Sequence, residues 1–108
     1  FTASFQRDGQ GWSQLEPAHL GTLENMLSHT SRPVHLLGEG IPYHEKFIPR
    51  DDPGVIVTPP EFWPARAEVV VTLGWALARA GSFIDPMQLV PIYIRRPEAE
   101  EKFEAGKR

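Results

Sequence analysis

The stretch Pro64-Ala65-Arg66-Ala67-Glu68-Val69-Val70-Val71-Thr72-Leu73-Gly74-Trp75-Ala76-Leu77-Ala78-Arg79-Ala80 decides the fold class of this chain. Taken alone, Val69-Val70-Val71 argues for a strand, because β-branched side chains suit a pleated surface. Length and the surrounding alanines argue the other way, since a strand of about seventeen residues would be far above the usual length. The stretch is therefore predicted as a helix, apolar nearly all round and interrupted only by Arg66, Glu68, Thr72 and Arg79. A helix of that composition is expected to be largely buried. Gly74 in its middle costs about 1 kcal/mol relative to Ala, and the expected return is close backbone approach to a neighbouring helix or strand. Gly81 is placed to cap its end.

On the N-terminal side, Val55-Ile56-Val57 reads as a short strand stopped by Thr58-Pro59-Pro60. Pro49 to Gly54 is a loop by every breaker rule, and Pro42 to Ile48 a short helix. Val34-His35-Leu36-Leu37 is an almost unbroken apolar run, as in a buried strand, ending at Gly38-Glu39-Gly40. Further back, Leu20, Leu23, Glu24 and Leu27 predict an amphipathic helix over about 17–29, with Pro17 in its first turn. Phe1 to Gln6 alternates apolar and polar, and the turn Asp8-Gly9-Gln10-Gly11 leads to Trp12-Ser13-Gln14-Leu15, which predicts a hairpin. Trp12 and Leu15 do not alternate cleanly.

On the C-terminal side, Leu89-Val90-Pro91-Ile92-Tyr93-Ile94 reads as a last strand. Pro91 lacks an N–H and so confines it to a strand start or an edge. From Arg96 the chain becomes a charged tail in which Glu98, Glu100, Glu101 and Glu104 face Arg95, Arg96, Lys102, Lys107 and Arg108, a partly helical segment with i, i+4 pairs. The order is β, β, α, β, α, β, α, β. Short loops and mixed order predict an α/β layer structure, one mixed sheet with helices packed on it. It would occupy residues 1–95 as a single domain, with 96–108 as the tail.

The 108 residues suit one modest core, and the formal charge of −3 does not favour a nucleic-acid binder acting alone. Absence of cysteine removes disulfides and thiolate zinc sites and is compatible with the cytoplasm, the expected compartment. No apolar run reaches membrane-spanning length, so no membrane partner is expected. The chain opens at Phe1 as if a strand were already under way, which reads as a fragment of a longer protein.

Gly38 and Gly40, between a strand and a helix, are the candidate nucleotide-binding residues, since backbone amides there favour anions. They lack a third glycine and the Lys-Ser/Thr of a phosphate-binding loop, and Glu39 would repel a phosphate. Two glycines that let a strand turn into a helix account for the pattern better than a phosphate site does. His19, His29, His35 and His44 show no zinc-protease spacing, and no Ser sits in a nucleophile elbow. Asp51-Asp52 lacks the other ligands of a calcium loop. No catalytic residue and no metal ligand is assigned. Trp63, Tyr93 and Arg95 are the interface candidates: amphipathic side chains next to Pro-bounded segments.

Several of these runs, taken in order, resemble the bacterial TsaB (YeaZ-type) family of the glycoprotease-like superfamily. The matching pieces are Phe1 to Gly9 with Leu15-Glu16-Pro17, Leu37-Gly38-Glu39-Gly40 with Tyr43, Pro59-Pro60 and Pro64-Ala65-Arg66-Ala67 through Leu73 to Gly81, and the closing Pro91-Ile92-Tyr93-Ile94-Arg95. The resemblance implies the second lobe of a two-lobed actin-like and Hsp70-like ATPase architecture (ribonuclease H-like). It implies a non-catalytic scaffold in tRNA threonylcarbamoyladenosine synthesis, with a TsaD-like catalytic subunit and a TsaE-like ATPase as partners of the full-length protein, the TsaD-docking helices belonging to the first lobe, which is not in this sequence, and tRNA met only indirectly. ATP or ADP would belong to the full complex and no cofactor to this fragment; a homodimer is also compatible. The competing readings are a glycoprotease-like metallopeptidase and a free-standing nucleotide-binding module.

Overall fold

The structure, a computed structural model, describes residues 1–107. It is a mixed α/β chain of β1 (Thr2–Asp8), β2 (Gly11–His19), α1 (Leu23–His29), β3 (Val34–Leu36), α2 (Ile41–His44), β4 (Val55–Val57), α3 (Ala67–Arg79) and α4 (Glu98–Gly106). Short 3-10 turns lie at Glu45–Phe47, Pro60–Phe62 and Pro86–Gln88. The chain divides into two units: Phe1–Met26 together with the segment from Pro91 onward, and Leu27–Val90.

In the first unit β1 and β2 form the expected antiparallel hairpin, closed at Asp8↔Gly11. The Asp8 carboxylate accepts the Gln10 N–H at 2.8 Å, and Gly11 takes a φ of 144°, open to glycine but strained for other residues. The register runs Thr2↔His19, Ser4↔Glu16, Phe5↔Gln14, so β2 carries an extra residue in each interval. Leu15 is one of them, which is why Trp12 and Leu15 break the alternation. The other falls at Pro17-Ala18, and a bulge is where a strand tolerates proline. Pro17 therefore stays in β2, and the helix expected from about residue 17 begins only at Leu23. There the Thr22 hydroxyl caps it by accepting the Asn25 N–H at 3.1 Å. Where β2 ends, His19 Nδ1 lies 2.8 Å from the Pro17 carbonyl and Nε2 3.4 Å from the Thr2 hydroxyl. The carbonyl only accepts, so a neutral His19 carries its proton on Nδ1. The face shared by Phe5, Arg7, Trp12 and Gln14 lies open, with Phe5 57% and Trp12 71% exposed.

Leu89–Ile94 does not form the expected strand. The chain passes from the Pro86–Gln88 turn into an unpaired segment and bends at Ile94 and Arg95. A strand exists through its ladder, among the described residues no strand is aligned beside this one, and Pro91 removes one donor. The charged tail is helical as expected, as α4, with Lys102 Nζ 2.7 Å from Glu98 Oε1 at i, i+4.

In the second unit β3 and β4 pair in parallel, Val34↔Val55, His35↔Ile56 and Leu36↔Val57. The crossover between them, residues 37–54, holds α2, as parallel pairing requires a long connection. Instead of one mixed sheet there are two sheets of two strands, the hairpin and this pair. Pro33 and Gly38 close in on β3, and Gly54 and Pro59 on β4, and each strand is three residues long. So short a pair recruits no further strand and offers too little apolar surface to cover a long helix. The helices are accordingly not packed on a shared sheet. Among the described residues only Leu27 and Leu36 are buried hydrophobics.

The register of this pair is held by a clasp around Arg32. Its guanidinium donates to Asp52 Oδ2 at 3.0 Å and to the carbonyls of Leu27 and Thr30 at 3.0 and 2.6 Å. Asp52 Oδ1 accepts the Gly54 N–H at 2.9 Å, and the Gly54 carbonyl accepts the Val34 N–H at 2.8 Å. The Arg32 side chain lies so close that a Cβ at residue 54 would sit 2.9 Å from its Cβ and Cγ. Only glycine fits there.

The decisive helix forms, shorter than the stretch that predicts it, as α3. Arg66 is extended and outside it, while Gly81, at a φ of 73°, ends it. Gly81 N–H donates to the Ala78 carbonyl at 3.0 Å and Ser82 N–H to that of Leu77 at 2.9 Å, the paired bonds of a Schellman cap. The expectation that α3 is buried fails: it has no buried residue, and Val69, Val70, Val71, Leu73, Trp75 and Leu77 stay 47–69% exposed. A Cβ built at Gly74 meets nothing within 4 Å, so the close approach expected there is not made.

The Asp52 carboxyl is held below the usual carboxylate range, first by the Arg32 hydrogen bond and then by the Gly54 N–H. A depressed folded value stabilises the folded form above the ordinary carboxylate range, and this contribution is lost as pH falls through the folded value. Denaturant midpoints taken from about pH 7 to about pH 3 should therefore fall on acidification. Asp52→Asn should lower the neutral midpoint and flatten that acid limb; an unchanged limb would remove Asp52 from the account.

Candidate functional site

Gly38 and Gly40 sit where β3 turns into α2. Gly38 has a φ of 124°, and its carbonyl accepts the Ile41 N–H at 3.2 Å, while Gly40 accepts the Tyr43 N–H at 3.1 Å. Pro42 has no N–H. Of the first three helical amides two are spent locally and one does not exist. The turn redirects the chain, with Glu39 exposed beside it.

That redirection brings α2 and the turn after it against the end of β4. There the Thr58 N–H and hydroxyl both donate to the Leu36 carbonyl, at 3.0 and 2.9 Å. The Pro60–Phe62 turn then folds Trp63 back, and its indole Nε1–H donates to the Thr58 carbonyl at 2.8 Å. Trp63 is half-buried. With Ile41, Ile48 and Val57 it lines a cavity of about 480 Å³ whose rim carries Glu45 and Arg50. The Glu45 carboxylate and the Arg50 guanidinium stand 3.4 Å apart, both well exposed; such a pair adds little stability and marks the polar edge. The lining is apolar and lies within the size range of small-ligand and side-chain pockets.

Trp63 is the one interface candidate placed in this cavity. Ile41, Ile48, Glu45 and Arg50 were not singled out from sequence. Their signal is faint: Ile41 and Ile48 bracket the short helix at a seven-residue spacing, just ahead of Pro49. Tyr93 and Arg95 belong to the other unit. Tyr93 is exposed. The Arg95 fork holds Glu101 through two bonds, at 3.1 and 3.0 Å. The Arg95 hydrogen bond keeps the Glu101 carboxyl below its ordinary range, and Glu101 raises Arg95 in return. Arg96 donates to Glu104 at 2.8 Å. These two arginines fasten the segment before α4 to its outer face.

Among the described residues no group of three or more His, Asp or Glu side chains is gathered to hold a metal ion. Among them, too, no helix is long and apolar enough to cross a membrane. Comparison with protein-family models, with curated proteins and with solved structures gave no match.

Replacing Trp63 by Phe keeps an aromatic six-membered ring but removes the pyrrole part of the indole and with it the bond to Thr58. Thr58 is half-buried, so Trp63→Phe should cost about 0.5–1.5 kcal/mol of stability. Urea unfolding followed by the remaining tryptophans would measure it; no loss would show that the indole N–H does not hold the cavity wall.

Proposed function

We propose that this chain acts by docking to other proteins. In this reading it is the second, actin-like and ribonuclease H-like lobe of a TsaB-like scaffold. It supports threonylcarbamoyladenosine formation next to the tRNA anticodon by binding a TsaD-like catalytic subunit, with a TsaE-like ATPase in the same assembly. ATP or ADP belongs to that assembly, and the setting is the cytoplasm. The ordered motifs, from the Phe1–Gly9 run to Pro91-Ile92-Tyr93-Ile94-Arg95, support the family. The observation that carries the docking role is the apolar surface left uncovered on α3, where Val71 and Trp75 are 69% and 66% exposed and lie i, i+4 on one flank. An exposed tryptophan among valines, rimmed by Glu68 and Arg79, has the make-up of a protein contact.

The test is co-purification of the chain with the TsaD-like subunit of its own organism, joined to measurement of threonylcarbamoyladenosine in tRNA after deletion of its gene. Capture of that subunit is expected, with the modified nucleoside lost on deletion. Trp75→Glu should weaken capture by about tenfold or more. Normal modification without the gene, together with no capture, would overturn the proposal.

A further inference from the structure

The cavity beside Trp63 has two features that the docking role does not use: a floor without a free polar group and a mouth with one charge of each sign. Ile41, Ile48 and Val57 supply branched aliphatic side chains, and the Trp63 ring completes the wall. The one polar atom of the indole is already spent, because Nε1–H donates to the Thr58 carbonyl at 2.8 Å. The Thr58 hydroxyl is spent as well, on the Leu36 carbonyl at 2.9 Å. A hydroxyl or amide brought to this floor would lose its water and find no partner, which costs free energy. The mouth is different. Arg50 reaches Glu45 through one long bond, its Nη2 3.4 Å from Oε1. The second carboxylate oxygen and the other guanidinium nitrogens hold no partner among the described residues, and both side chains are well exposed.

We infer that this cavity binds a free α-amino acid with a large apolar side chain, such as leucine or phenylalanine. The side chain lies on Trp63 and the three aliphatic residues, the ammonium group meets the Glu45 carboxylate, and the carboxylate meets the Arg50 guanidinium. An α-amino acid carries both charges on one carbon, so it presents them side by side to two opposite charges that stand 3.4 Å apart. Charge-assisted bonds of this kind fix orientation, the guanidinium fork being suited to a carboxylate. Other occupants match less of the site. A neutral apolar molecule leaves the pair unused, the end of a polypeptide brings one charge instead of two, and an internal peptide backbone brings neither. The volume of about 480 Å³ takes an aromatic side chain as readily as a branched one, so the selection is for apolar character. Because the mouth is open to water, the charges are screened and the affinity is modest, with a Kd of about 1 mM for a ligand of this size. This inference is independent of the proposed function, which uses α3.

Titration of the full chain with L-leucine, followed by nuclear magnetic resonance, tests it. The Trp63 indole N–H and the methyl groups of Ile41, Ile48 and Val57 should shift together and saturate with a Kd of about 1 mM. Asparagine has leucine's branched shape with polar atoms in place of the methyl groups, and should bind about tenfold more weakly or worse. Isoamylamine keeps leucine's ammonium without the carboxylate, and isocaproate the carboxylate without the ammonium; each should bind about three- to fivefold more weakly than leucine. Glu45→Gln should remove the preference for leucine over isocaproate and keep that over isoamylamine, and Arg50→Gln should do the reverse. Both substitutions fall on exposed side chains, so circular dichroism should show the parent's fold. No shift with leucine at about twenty times the expected Kd would overturn the inference. So would asparagine binding as tightly as leucine, or leucine, isoamylamine and isocaproate binding alike, since a merely greasy surface would not sense the two charges. Preferences left unchanged by both variants would overturn it as well.

Discussion

Val70, Leu73 and Leu77 line one side of α3, Val71 and Trp75 the next, and all five are exposed among the described residues. A helix of 13 residues is marginal in water by itself, because nucleation is costly and stability comes mainly from packing an apolar face. Three consecutive valines lower its intrinsic preference further. The Gly81 cap and the Arg66–Glu68 pair fix where the helix starts and stops, but they do not cover its face. The proposed docking role follows from that one constraint.

The second unit shows how local bonds position a site without a large core. Arg32 reaches Asp52 and the carbonyls at the end of α1, and its stem requires glycine at position 54. Gly54 and Asp52 then set where Val55 starts, which fixes the register of β4 on β3. Register places Thr58 on the Leu36 carbonyl, and Thr58 in turn receives the Trp63 indole. The wall of the cavity is thus tied to the ion pair of Arg32 and Asp52, both of which precede Trp63 in the sequence. Loosening the clasp should be felt at the cavity before it is felt in α3.

Elements whose signals are local were legible in the residues. Val34–Leu36, Val55–Val57, the hairpin turn at Asp8–Gly11, the short helix after Gly40 and the Gly81 stop all lie where propensity and turn chemistry put them. The misreadings came where a tertiary relation outweighed a local one. Pro17 looked like a helix start because a bulge in β2 depends on the register with β1. Leu89–Ile94 looked like a strand because alternation reports faces and not the presence of a ladder partner. Apolar composition led α3 to be expected buried, though composition measures the need for cover and not its supply. Of the site, Trp63 was legible as an amphipathic aromatic between prolines. The Arg32–Asp52 clasp and the Ile41, Ile48 and Val57 lining were not, because they join residues separated by loops that carry no pairing signal. The family resemblance rests on the order of motifs, and no match from the comparisons stands beside it.

Amide hydrogen exchange across Val69 to Leu77 addresses the central claim most directly, because it reports whether α3 is held from within or from without. Fast exchange is expected in the chain alone, and slow exchange once it is mixed with a TsaD-like subunit. Slow exchange in the chain alone, unchanged by the partner, would mean that α3 is stabilised by its own chain, and would contradict the docking role.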